Sequence, residues 1–179
     1  MKIVPIGLVV AAAVGTSWAN LFSAPVALVL LLVALVLTVG FTEELMFRGT
    51  GLEMFRRMDL TEGKVALYSS VVFGAVHLSN ALATGVGAIG QAAAVSFSGY
   101  LFYLTRRRAG LIWVAMVVHG SQDFVMLSGQ IGPDPEQSPL SLLVVLVMIA
   151  LAILLWRRRD RIELEPGVVT GAAAPGRRG

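Results

Sequence analysis

The chain has 179 residues, 56% hydrophobic and 14% charged, with a net charge of +3 and a mean hydropathy of +0.80. Those values exclude an ordinary soluble domain and match several bilayer-crossing helices. No cysteine is present, which excludes disulfides, thiolate catalysis and cysteine-based metal sites.

Six apolar segments follow in chain order, over about residues 3–22, 25–48, 65–83, 85–105, 110–128 and 139–156. A span needs roughly 20 residues. The predicted fold is therefore all-α: a polytopic integral-membrane helical bundle of about six transmembrane helices over residues 1–161. A Pro- and Gly-rich disordered cytoplasmic tail is predicted over residues 162–179. Segments three to five are interrupted by Gly, Ser and single polar residues, as helices packed on one another require. Segment six, Leu140 to Trp156, is nearly uniform Leu, Val, Ile and Ala and is predicted to face lipid. Gly90, Ala94 and Ser98 in segment four share four-residue spacing, which predicts a tight helix contact along that face.

All 14 Lys and Arg residues fall on one side of this arrangement. They are Lys2, those from Arg48 to Lys64, Arg106 to Arg108 and those from Arg157 onward, while the alternate connections near Ser23, near Thr84 and from Gly129 to Ser138 carry none. By the positive-inside rule this predicts a multi-pass cell-membrane protein with both termini in the cytoplasm. The same clustering argues against nucleic acid as a partner and leaves membrane lipid. Abundant Arg, Ala, Val and Gly suggests a GC-rich bacterial origin. A second reading of the start exists: Lys2, a short apolar run and Ser17-Trp18-Ala19 have the layout of a cleavable signal.

Few polar residues lie within the apolar segments, and they form three groups. Glu43 and Glu44 end the run from Val26 to Phe41, and Arg48 follows Glu44 at i,i+4, the favourable order for an ion pair on a helix. Glu43 is turned about 100° from Glu44 and can address another partner. On its own the group also reads as an interfacial ion pair closing a span. His77 follows Phe73 by one turn, and a lone helical histidine is commonly a packing residue. Glu43 and His77 are equally far from Leu60, so an antiparallel hairpin turning there sets both at one depth. This requires the second helix to run through Gly49-Thr50-Gly51 toward Phe55, which the sequence leaves open. His119 and Asp123, at i,i+4 near the middle of segment five, share a face and can hydrogen-bond; they also read as a structural pair between helices.

Together these residues suggest hydrolysis in a buried, partly wet cavity, with a carboxylate and an imidazole taking a proton from water and a donor stabilising the oxyanion. No His-Glu-x-x-His motif is present, an aspartyl pair is missing, and Ser96-Phe97-Ser98-Gly99 lacks the Gly-x-Ser-Gly of serine intramembrane proteases.

Glu43-Glu44-Leu45-Met46-Phe47-Arg48 resembles the EExxxR motif of the CAAX prenyl protease and bacteriocin-processing family of intramembrane proteases. Phe73 to His77 resembles its FxxxH motif, and His119 to Asp123 its HxxxN or HxxxD motif. The resemblance covers about residues 25–156. It implies a glutamate-dependent, metal-independent endopeptidase without a cofactor, acting on a membrane-associated peptide or protein on the cytoplasmic side. Glu43 would activate water, His77 would help hold it, and His119 with Asp123 would form the oxyanion site. Glu44 and Arg48 would support the site, with Phe73 as the remaining motif residue. An ionised Asp123 cannot donate to an oxyanion: either burial keeps it protonated, or, the favoured role, it orients His119 and leaves that ring to do the work. Three other functions fit the same residues: a non-enzymatic membrane immunity or interaction protein on the same fold, a zinc hydrolase with Glu43, His77 and His119 as ligands, and a proton or ion transporter.

Overall fold

A computed structural model describes residues 4–133 and 135–159, and the tail assigned to residues 162–179 lies outside them. The described residues are helical rods and connections, without a strand. Six rods correspond to the six apolar segments. The first is α1 (Val4–Gly15) followed by α2 (Trp18–Ser23). The second runs without interruption from α3 (Val26–Glu44) through a π-helical turn, Leu45–Gly51, into α4 (Leu52–Arg56). The third is α5 (Glu62–Val76), a 3-10 turn at His77–Asn80 and the short α6 (Ala81–Thr84). The rest are α7 (Gly87–Ala109), α8 (Ile112–Ser128) and α9 (Pro139–Trp156).

Local chemistry accounts for most boundaries. The first rod breaks where Thr16 Oγ1 donates back to the Ala12 carbonyl at 2.8 Å. Ser17 is tied there to the far connection: its amide donates to Ser128 Oγ and its hydroxyl accepts from the Ser138 amide, both at 3.0 Å. Pro25 and Ser138 start α3 and α9. Gly110, at φ 71°, ends α7 in the left-handed region that glycine tolerates. The second helix does continue past Gly49-Thr50-Gly51, so the hairpin it makes with α5 turns where the polar connection predicts.

Val26–Arg56 and Pro139–Trp156 are each long and apolar enough to cross a membrane. On α9 a single stripe of Ser141, Val144, Met148 and Ala152 is buried, while Leu142, Leu143, Leu146 and Leu154 are exposed. That is the pattern of a helix with one protein-facing seam and a lipid-facing remainder. The bundle is an all-helical membrane fold.

The predicted small-residue contact lies elsewhere. A Cβ on Gly90 would meet nothing within 4 Å, and Ala94 and Ser98 face a cleft. Close approach occurs instead between Gly74 of α5 and Ala92 and Ser96 of α7, where a methyl on Gly74 would collide with the Ala92 carbonyl and the Ser96 hydroxyl. Helix-face spacing identifies a stripe but not which neighbour it meets.

At one end of the bundle, buried Glu62 gathers cations and a phenol. Arg56 Nε donates to it at 2.5 Å, Tyr103 Oη at 2.7 Å, and Arg107 Nη1 lies 3.2 Å away. This latch joins the α4–α5 hairpin to α7 at the end where Arg106 to Arg108 and Arg157 to Arg159 cluster.

Candidate active site

The π turn opens directly after Glu43-Glu44 and carries Arg48. Turns of this kind recur at functional sites because they swell the helix and re-aim its side chains. Glu44 and Arg48 both point inward and are 0% and 2% exposed. Arg48 Nη1 lies 3.0 Å from Glu44 Oε1, and Nη2 donates to the Gly99 carbonyl at 2.9 Å. The guanidinium carbon sits 4.1 Å from the centre of the Phe73 ring. Gly99 permits this: a Cβ there would lie 2.9 Å from the Phe73 ring and 3.1 Å from Arg48 Nη2. Breaking a buried pair of this kind strands a charge in a medium that solvates it poorly.

His119 of α8 is the hub of the site. Its Nδ1 is 2.9 Å from Glu44 Oε1. On its other side, Nε2 lies 3.7 Å from Glu43 Oε2 and 3.5 Å from Asp123 Oδ2. Three carboxylates thus meet one imidazole, one at Nδ1 and two at Nε2. The two glutamates were free to seek different partners; they share this ring through its opposite nitrogens. The short contact is the one to Glu44 at Nδ1; Asp123, to which the sequence reading gave the orienting role, lies 3.5 Å from Nε2. Phe102 stacks on the ring with centroids 4.6 Å apart and planes inclined by 17°. Phe73 meets it edge-on at 5.6 Å.

His77 lies at the first position of the 3-10 turn that ends α5, because the helix tightens there. Its Nδ1 donates to the Phe73 carbonyl at 2.9 Å, which leaves Nε2 as an acceptor. The Phe73 ring stands between the two imidazoles, 5.2 Å from His77 and 5.6 Å from His119. No ion pair joins His77 to Glu43 among the described residues.

A cleft of about 390 Å³ opens beside these groups. Its walls include Phe73, His77, Phe102, His119 and Asp123. Glu43 is not among the walls, and its Oε2 is buried without a hydrogen-bond partner. Among the described residues no group of three or more His, Asp or Glu side chains is placed to hold a metal ion, so Glu43, His77 and His119 do not assemble as a three-ligand zinc set. The cleft reaches Gln130 and Gln137 in the connection between α8 and α9. It therefore lies toward the bundle end remote from the Glu62 latch and the arginine clusters.

All seven residues singled out from the sequence, Glu43, Glu44, Arg48, Phe73, His77, His119 and Asp123, fall in this one region. Sequence reasoning missed Phe102 and Gly99, which wall the imidazole and receive Arg48. Neither stands in a motif, and nothing in their spacing marks them.

No curated protein and no solved structure matches the chain. The sequence model of the type II CAAX prenyl endopeptidase Rce1-like family matches residues 25–125. That stretch holds the glutamate pair, the arginine, both histidines and Asp123, and more than half of the chain. The protein belongs to the type II CAAX prenyl endopeptidase Rce1-like family.

Proposed function

We propose that the protein hydrolyses a peptide bond of a membrane-associated peptide or protein with a water activated by Glu43. The observation that carries this reading is His119, pinned at Nδ1 by Glu44 and facing Glu43 and Asp123 at Nε2, beside a cleft. Glu43 takes a proton from water as the water oxygen bonds to the substrate carbonyl carbon. With both ring nitrogens protonated, His119 donates from Nδ1 to Glu44 and from Nε2 to the oxyanion. Collapse of that intermediate breaks the C–N bond, and Glu43 passes its proton to the departing amine. His77, its Nδ1 already committed to Phe73, offers Nε2 to the attacking water. Glu44 and Arg48 hold His119 in place and do not exchange protons with substrate. No cofactor or metal enters these steps.

Glu43→Gln should lower turnover about 10³-fold, within the range of about 10²–10⁴ for a lost general base, while the protein still inserts and folds. The measurement is mass spectrometry of membrane peptides after incubation with wild type or variant. Asp123→Asn should retain or raise turnover. One observation favours a second assignment, since Asp123 borders the cleft and Glu43 does not. If Asp123→Asn is dead and Glu43→Gln is active, Asp123 is the base. If neither variant changes the cellular phenotype, the protein acts without chemistry, as an immunity or interaction protein would.

The basic bundle end is assigned to the cytoplasm by the positive-inside rule, so the cleft opens toward the opposite face and both termini are cytoplasmic. The absence of native cysteine makes a direct check simple. A single cysteine at Ser138 should react with an impermeant maleimide in intact cells, and one at Arg158 only after lysis. The reverse labelling pattern inverts the topology and puts the cleft on the cytoplasmic side.

A further inference from the structure

All four glutamines of the chain, Gln91, Gln122, Gln130 and Gln137, line the cleft that holds His77, His119 and Asp123. They come from α7, from α8 and from the connection before α9, so no local repeat brings them together. Gln122 is buried, and the other three are exposed. A primary amide is neutral and carries donors and acceptors at once, and each of these has one half committed. Gln91 Oε1 accepts from Asn80 Nδ2 at 3.0 Å, which leaves its amide N–H groups. Gln122 Nε2 donates to the Leu8 carbonyl at 2.9 Å, which leaves its oxygen. Gln130 and Gln137 both donate from Nε2 to the Met126 carbonyl, and their oxygens are left in the same way. The α7 wall therefore offers donors, and α8 with its following connection offers acceptors. Apolar Met126, Val145 and Met148 lie in the same walls.

A helix has already satisfied its backbone groups and has nothing to give such walls. An unwound strand in a bilayer has free N–H and C=O groups that cost several kcal/mol each unless protein receives them. We propose that the cleft accepts substrate as an unwound, extended segment whose main chain is bound by these glutamine amides. Selection then depends on how readily a segment leaves the helix and only weakly on its side chains. The substrate class is a membrane peptide with a helix-weakening stretch, such as adjacent glycines, beside the bond to be cut. This inference rests on the peptidase reading of the same cleft.

The test uses two synthetic transmembrane peptides of Leu and Ala, end-labelled with a donor–acceptor dye pair and identical except for a central Gly-Gly or Leu-Leu. Binding is measured to the full-length Glu43→Gln protein in phosphatidylcholine–phosphatidylglycerol vesicles, and cleavage with wild type. The Gly-Gly peptide should bind at least about 10-fold more tightly, roughly 1.4 kcal/mol. Gln91→Leu and Gln130→Leu, both at exposed positions, should each remove most of that discrimination. A general loss of structure would weaken both peptides alike and leave their ratio unchanged. Equal binding of the two peptides, binding of neither, or discrimination that survives both glutamine changes overturns the inference. If discrimination is present but wild type leaves the Gly-Gly peptide intact, the peptidase reading fails while the binding mode stands. If the two peptides bind equally and wild type cleaves both, the reverse holds.

Discussion

Two buried carboxylates, Glu44 and Glu62, stand at different levels of the same bundle, each beside an arginine, and they are finished differently. Glu62 uses both oxygens: Arg56 takes Oε1, and Tyr103 and Arg107 take Oε2. Glu44 uses one. Arg48 and His119 both address its Oε1, and Oε2 has no hydrogen-bond partner. Of seven buried side-chain atoms without a hydrogen-bond partner among the described residues, four belong to Glu43, Glu44 and Arg48. The other three lie on α7, at Tyr100, Thr105 and Arg106, so incomplete bonding by itself marks no site. The lesson is that an ion pair alone does not identify a site either; Glu44 differs from Glu62 in holding an imidazole that borders a cleft.

The comparison can be broken most forcefully at Arg48. Arg48→Leu strands Glu44 and should cost about 3–5 kcal/mol of stability, read as a fall in the unfolding midpoint in detergent. A further Glu44→Leu change should recover much of the loss, and if it does not, the guanidinium stabilises the fold chiefly through Phe73 and Gly99. Next in size, Glu44→Gln keeps the shape of the side chain but removes the anion that fixes His119. Activity should drop about 10–100-fold, as when the partner orienting a functional histidine is lost, with little change in unfolding. A normal rate would mean that Asp123 or Glu43 orients the ring. The smallest effect on turnover belongs to the latch. Tyr103→Phe removes one charge-assisted hydrogen bond and should cost about 1.5–3 kcal/mol with the turnover number unaltered. Were its rate to fall as far as that of Glu44→Gln, the latch and the site would form one unit.

Much of this was legible in the chain. Apolar run length gave the six rods, because a bilayer imposes a minimum span on the sequence itself. The three polar groups were visible because ionisable residues are rare in such runs. Other features depend on partners that spacing does not name. The break at Thr16 and Ser17 depends on Ser128 and Ser138, more than a hundred residues away. The stripe of Gly90, Ala94 and Ser98 was read correctly as a face but assigned the wrong neighbour. The contact of His119 with Glu44 could not be read, since i,i+4 spacing pointed only to Asp123. The glutamines are scattered over 47 positions of sequence, from 91 to 137, and become a group only when α7 and α8 stand face to face.

The π turn between Glu44 and Leu52 has one further consequence. Such a turn holds one residue more than an α-helix needs for nearly the same rotation. Deleting one residue of Leu45–Gly51 and rewinding the rest as α-helix would therefore leave Arg56 close to its present face, but would re-aim the side chains inside the turn. The distant clasp on Glu62 would keep its register while the guanidinium of Arg48 lost its aim at Glu44. Length, held constant across those seven positions, is therefore as much a requirement of the motif as its lettering.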